Sequence, residues 1–242
     1  MLFSKFSKVA LASLIAVSAS YASAATLTVN SVQGVWQNAV DTNGGAINGA
    51  GTNAISWGGG ASQSAYTFVG AAPPAVTVEE EEDFSLGVFT HDNFPIFPPT
   101  LASAELLVTI GVDGFGDIET LFSFEHTETI NTGACSFGGA NGQGVNINGC
   151  ADNVSAVLNL GSSETFNIDG TDFVFNVSGF ETDDALFESF LTVENASNSA
   201  GLIGSFVVVD DISPVPLPAG GLLLLSGFGL LGFARRRKTK AA

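Results

Sequence analysis

Phe166-Asn167-Ile168-Asp169-Gly170-Thr171-Asp172-Phe173-Val174-Phe175 decides the fold class. Asp-Gly stands here between two runs of strand-forming residues. A two-residue type I′ hairpin turn needs φ > 0 at both central positions, and Asp-Gly supplies that cheaply. Moving outward, period-two alternation recurs on both sides of this hairpin. It pairs Ile55 with Trp57 and Tyr66 with Phe68, and it links Phe84, Leu86 and Val88. It continues through Leu106, Val108, Ile110 and Val112, through Phe122 and Phe124, and through Val154, Ala156, Leu158 and Leu160. Leu191 with Val193 and Phe206 with Val208 complete the series. Side chains two apart share one face of a strand, so these are half-buried strands. Gly, Asn and Asp recur between them as turn residues. No long stretch carries helical spacing outside the two ends, and no internal repeat stands out. The expectation is an all-β fold: one antiparallel β-sandwich or jelly-roll-like domain over residues 25–212.

Charge divides the chain in the same way. Of 242 residues, seven are Lys or Arg and 24 are Asp or Glu, for a formal net charge of −17. The cations are Lys5, Lys8, Arg235, Arg236, Arg237, Lys238 and Lys240, all near the ends. Every acidic residue lies between them. Affinity for nucleic acid rests on Lys and Arg neutralising phosphates, so that class of partner is excluded for the central domain. Its carboxylates must be solvated, hydrogen-bonded or bound to metal ions. The run Glu79-Glu80-Glu81-Glu82-Asp83 reads as a solvated loop.

The two ends read as targeting segments. Lys5 and Lys8 precede an apolar run from Val9 to Val17, and Ala22-Ser23-Ala24 offers a cleavage site. Those three parts make a secretory signal over residues 1–24. The run is too short to span a bilayer. At the other end Val215-Pro216-Leu217-Pro218 leads into an uncharged stretch from Ala219 to Ala234, followed by Arg235, Arg236 and Arg237. As a helix that stretch would be about 24 Å long, slightly short of a hydrocarbon core. Its trailing cations would stay in the cytoplasm. Hydropathy alone does not distinguish it from a retained tail anchor.

The only cysteines are Cys135 and Cys150, separated by a Gly/Asn-rich stretch. In an exported chain such a pair reads as a disulfide.

The Val-Pro-x-Pro motif, the short Leu/Gly helix and the Arg cluster together resemble the PEP-CTERM sorting signal over residues 213–242. The resemblance implies cleavage near the Pro motif by a membrane transpeptidase-like exosortase, after signal peptidase has acted at the other end. It further implies transient anchoring in the inner membrane, then transfer to the cell surface or extracellular matrix. Thr90-His91-Asp92-Asn93 resembles the signature of the THxN family of PEP-CTERM proteins, close to the choice-of-anchor K domain. Phe122 to Thr129 and Asn148 to Asp152 carry the same likeness. It implies a surface protein and brings no catalytic residues.

Three constellations hold chemistry in outline. His91 could ligate a metal together with Asp92, His126 and Glu128. The plainer alternative is that His91 and Asn93 bond backbone in a turn that Pro95 closes. Asp113 with Asp117, and Asp169 with Asp172, form acidic loops that offer oxygens to Ca²⁺ or serve as simple turns. Trp36, Trp57 and Tyr66 could stack on sugars or sit in the core. No nucleophile elbow, Walker loop or dinucleotide fingerprint is present. The leading expectation is a non-enzymatic structural or adhesive protein of the surface or biofilm matrix, in contact with extracellular polysaccharide. A carbohydrate-binding module and a secreted glycoside-active enzyme are the alternatives.

Overall fold

The computed structural model describes residues 24–209 apart from 73–74, 158–164 and 184. The N-terminal signal up to residue 23, the sorting motif with Val215, Pro216, Leu217, Pro218 and Arg235 to Arg237, and Leu158 and Leu160 lie outside the described residues.

The described residues form two antiparallel sheets packed as a sandwich. The first contains β1 (Thr26–Asp41), β4 (Val76–Glu79), β6 (Leu101–Val112), β7 (Gly116–Thr127), β8 (Asp152–Val157) and β12 (Ser189–Thr192), in the order β12-β8-β7-β6-β1-β4. The second contains β2 (Ala54–Trp57), β3 (Ser64–Gly70), β5 (Phe84–Asn93), β10 (Thr171–Thr182), β11 (Ala185–Phe187) and β13 (Ala196–Val208), in the order β11-β10-β13-β5-β3-β2. A short β9 (Phe166–Ile168) pairs with β10. The only helical turn among the described residues is 3₁₀, at Gly144–Asn146. None of their helices is long and apolar enough to cross a membrane.

The expected hairpin is present. Ile168 faces Thr171 across a turn in which Asp169 has φ 50° and Gly170 φ 90°. Between the sheets lies an aromatic core. Trp36, Tyr66, Phe68, Phe89, Phe122, Phe124, Phe175, Phe180 and Phe206 are all less than 2% exposed. Phe89 from the second sheet stacks on Phe124 from the first, with centroids 5.9 Å apart. Burial of this kind is the main driving force of the fold. The sugar-stacking role weighed for Trp36, Trp57 and Tyr66 fails on this point. Their exposures are 0%, 2% and 0%, so they offer no face to a ligand in solution.

Four local expectations are corrected. Thr90 to Asn93 is not a turn: β5 runs straight through it to Asn93. Alternation also changes phase within β5. Leu86 is buried, Gly87 is buried, and Val88 is 46% exposed. The cause is a β-bulge against β13, where Gly87 faces Leu202 but Ser85 faces Ile203. One extra residue reverses which side chains point inward. Gly87 allows it because its φ is 148° and a Cβ there would stand 2.3 Å from the Val69 carbonyl oxygen. Beyond the bulge, Phe89, His91 and Asn93 face the core, while Thr90 and Asp92 turn toward the outer face. In β12 the inward set is Phe190 and Thr192, followed by Glu194, whereas Leu191 and Val193 are only half-buried. Val208 is 37% exposed, although its partner in the pattern, Phe206, is fully buried.

Candidate functional site

At one end of the sandwich the core turns polar. His91 and Tyr66 face each other across β5 and β3. From the opposite sheet come His126 near the end of β7, Asp152 at the start of β8, and Thr192 at the end of β12, directly opposite Asp152. His91, Asp152 and Thr192 are 0% exposed and His126 8%. The nearest ligand-type atoms of His91, His126 and Asp152 all lie within 4.8 Å of one another.

Each of these side chains is held from behind. His91 Nδ1 lies 2.9 Å from the Thr192 hydroxyl. The Asn93 amide donates to the Thr192 carbonyl and hydroxyl oxygens at 3.2 and 3.3 Å. His126 Nδ1 meets the Tyr66 hydroxyl at 2.6 Å. Asp152 Oδ1 accepts from the Thr129 backbone N–H at 2.7 Å, with the Thr129 hydroxyl 3.0 Å away. That leaves the front atoms turned toward one another. His126 Nε2 is 3.3 Å from Glu128 Oε2 and 4.0 Å from Asp152 Oδ2. His91 Nε2 and Asp152 Oδ2 are buried without a hydrogen-bond partner. Trp57 covers the pair, stacked on His91 at 5.6 Å and edge-on to His126 at 5.3 Å.

The electrostatics follow from burial without counter-ions. Burial pushes the Asp152 carboxyl up to about 7. The charge of Glu128 adds to that shift, while His126 and the Thr129 hydrogen bonds oppose it. Burial also raises Glu128 to about 7, and moves Glu194 upward. The imidazoles move the other way. Burial lowers His126 to about 4 against the pull of Asp152, and lowers His91 well below its ordinary range, with His126 adding to the effect. Both rings are therefore neutral near pH 7, with lone pairs available.

These shifts have a testable sign. A carboxyl raised in the fold stabilises it fully below its ordinary pKa, and that contribution is lost as pH rises through about 7. A histidine lowered in the fold penalises folding below about 4, and the penalty disappears as pH rises to 6.5. Between pH 4.5 and 6.5 the two trends oppose each other. Above 6.5 the remaining histidine relief fades and the carboxyl loss outweighs it. In EDTA, the stability of the protein is expected to fall by on the order of 1 kcal/mol between pH 6.5 and 8. Denaturant melts across that range check it, and a rise would contradict it.

Of the residues singled out from the sequence, His91, His126 and Glu128 come together, and Asn93 supports them through Thr192. Thr90 does not join; its hydroxyl pairs with that of Ser199 at 2.9 Å. Asp92 points away. Asp152 was not foreseen as a ligand, and neither were Tyr66 and Thr192 as supports. Asp113, Asp117, Asp169 and Asp172 are all exposed, on two neighbouring turns whose Phe115 and Phe166 rings stand 6.2 Å apart. Asn167 bonds Asp172 and the Gly170 N–H there, the contacts of an ordinary turn. Cys135 and Cys150 are joined, with Cα atoms 5.1 Å apart, and the bridge closes the loop that leads into Asp152.

No family model matches the chain, and no curated protein matches it.

Proposed function

We propose that the protein is an exported, non-enzymatic domain displayed at the cell surface or in the extracellular matrix, with a structural or adhesive role. Signal peptidase removes residues 1–24, and an exosortase-type transpeptidase cuts near Pro218 after the tail has held the chain briefly in the membrane. The observation that carries this reading is the placement of charge. All seven Lys and Arg residues stand in the two terminal segments. Between them lies a cation-free, acidic β-sandwich closed by a disulfide. Its largest aromatic side chains are committed to the core, in keeping with a scaffold rather than a sugar-gripping module.

Intact-mass spectrometry on the surface fraction of an exosortase-bearing host tests the proposal. The expected species begins near Ala25 and ends near Pro218. Its abundance should fall in the same host lacking exosortase. Peptide mapping needs chymotrypsin, because trypsin finds no Lys or Arg between Ala25 and Ala234. Surface protein that retains Leu222 to Lys240, or protein confined to the cytoplasm, would overturn it.

A further inference from the structure

We infer that His91, His126 and Asp152, completed by Glu128, form a closed binding site for a divalent transition-metal ion, with Zn²⁺ the ion that fits best, and that the bound ion fastens the two sheets together.

Four independent features converge on this. The first is placement. Donor atoms from β5, β7 and β8, far apart in sequence, meet within 4.8 Å between the two sheets. The second is satisfaction. His91 Nε2 and Asp152 Oδ2 are both buried and both without a hydrogen-bond partner, on two residues whose ligand atoms meet in the cluster. Buried polar atoms are normally bonded, so two that converge on one point imply a shared partner that accepts lone pairs. The third is support. Thr192 holds the far nitrogen of His91, Tyr66 that of His126, and Thr129 the far oxygen of Asp152. Outer-shell bonds of this kind fix the tautomer and aim of metal-bound histidines. The fourth is charge. Asp152 and Glu128 are carried inward in a domain with no Lys or Arg. A divalent cation would supply the missing positive charge.

The donor set selects the ion. Two imidazole nitrogens with carboxylate oxygens suit zinc and its neighbours, whereas calcium and magnesium take oxygen-only sites. No thiolate is available, since both cysteines are bridged. Zinc bonds to nitrogen and oxygen run to about 2.0–2.2 Å, so the donors must draw together by about 1 Å each. Four protein ligands, three of them buried and Glu128 16% exposed, fit a structural site rather than a catalytic one, which would keep an open position. His91 belongs to one sheet, His126 and Asp152 to the other, and Glu128 follows directly after β7. The ion therefore ties the layers together at the end where polar groups have replaced apolar packing.

The full chain, stripped with EDTA and dialysed, is titrated with ZnSO₄ and in parallel with CoCl₂. One equivalent of Zn²⁺ should bind. At a zinc concentration 1,000-fold above the dissociation constant, the melting temperature should rise by about 10 °C. Co²⁺ should give visible d–d bands that Zn²⁺ abolishes. His91→Ala and Asp152→Asn should lose both responses, while Asp113→Asn and Asp169→Asn at the acidic turns keep them. Should a core variant fail to fold, the wild-type cobalt spectrum and its displacement by zinc still decide the matter. A melting temperature indifferent to Zn²⁺ and EDTA, with no cobalt spectrum, would overturn the site and leave a water-bridged network. Equal stabilisation by CaCl₂ would overturn it too, by pointing to general screening of the carboxylates. None of these results depends on where the protein is sorted.

Discussion

Phe89→Ala is expected to destabilise the fold by about 3–5 kcal/mol, the range for deleting a large buried aromatic side chain. Phe89 is 0% exposed and touches rings from both layers. It stacks on Phe124, meets Phe180 at 5.3 Å and Tyr66 at 4.8 Å, and lies 6.2 Å from Phe190. The hole left by its removal would be walled by strands from both sheets, which cannot collapse onto it without breaking ladder pairings. The upper part of the range is therefore the expected outcome. Chemical denaturation of the purified chain measures it, with an unchanged m-value showing that the loss lies in the native state. A loss below about 1 kcal/mol would mean that the aromatic layer repacks freely.

Removing the disulfide should have an effect of similar size by another route. Cys135 and Cys150 lie 15 residues apart, and closing a loop of that length contributes about 3 kcal/mol, mainly by restricting the unfolded chain. The loop has little else to hold it. Asn146 is its buried anchor, donating to the Phe137 and Gly139 carbonyls at 2.8 and 3.0 Å and accepting from the Ala151 N–H at 2.7 Å. Cys150 is itself 1% exposed, and its carbonyl accepts from Thr129, the residue that clamps Asp152. The double variant Cys135→Ser, Cys150→Ser should thus melt earlier by an amount equivalent to about 2–4 kcal/mol. Amide exchange should quicken over residues 131–149 before it does in the strands. Unchanged stability would show that Asn146 and its neighbours hold the loop without the bridge.

The strands of this fold were legible because its core is apolar and its faces alternate. Leu106, Val108, Ile110 and Val112 all point inward as their spacing requires. The hairpin at Asp169-Gly170 was legible because the turn chemistry is local. What lay beyond reach depends on partners. The reversal at Gly87 arises from a mismatch with β13, more than a hundred residues away, and nothing in β5 alone reports it. In β12, Leu191 with Val193 and Phe190 with Thr192 give equally regular patterns, and the more apolar pair misleads. Phe190 faces inward, joined to Phe89 and Phe180, and brings Thr192 with it. Asp152 did leave a signal. It shares the inward phase of Val154 and Ala156, and a carboxylate in that position asks for a partner.

The lengths of the strands carry a last consequence. The outermost strands, β12 and β4 in one sheet and β11 and β2 in the other, are three or four residues long, while β1, β6, β7, β10 and β13 run to between 12 and 16. Where β1 extends past β4, the segment from Gly45 to Thr52 covers it, as in the bonds from Trp36 N–H to the Thr52 carbonyl and from Ile47 N–H to the Ala39 carbonyl. A neighbouring copy seeking to extend either sheet would find a template of a few rungs, approached against like charge. Many copies could therefore stand shoulder to shoulder in a crowded layer and remain separate molecules instead of seeding fibres.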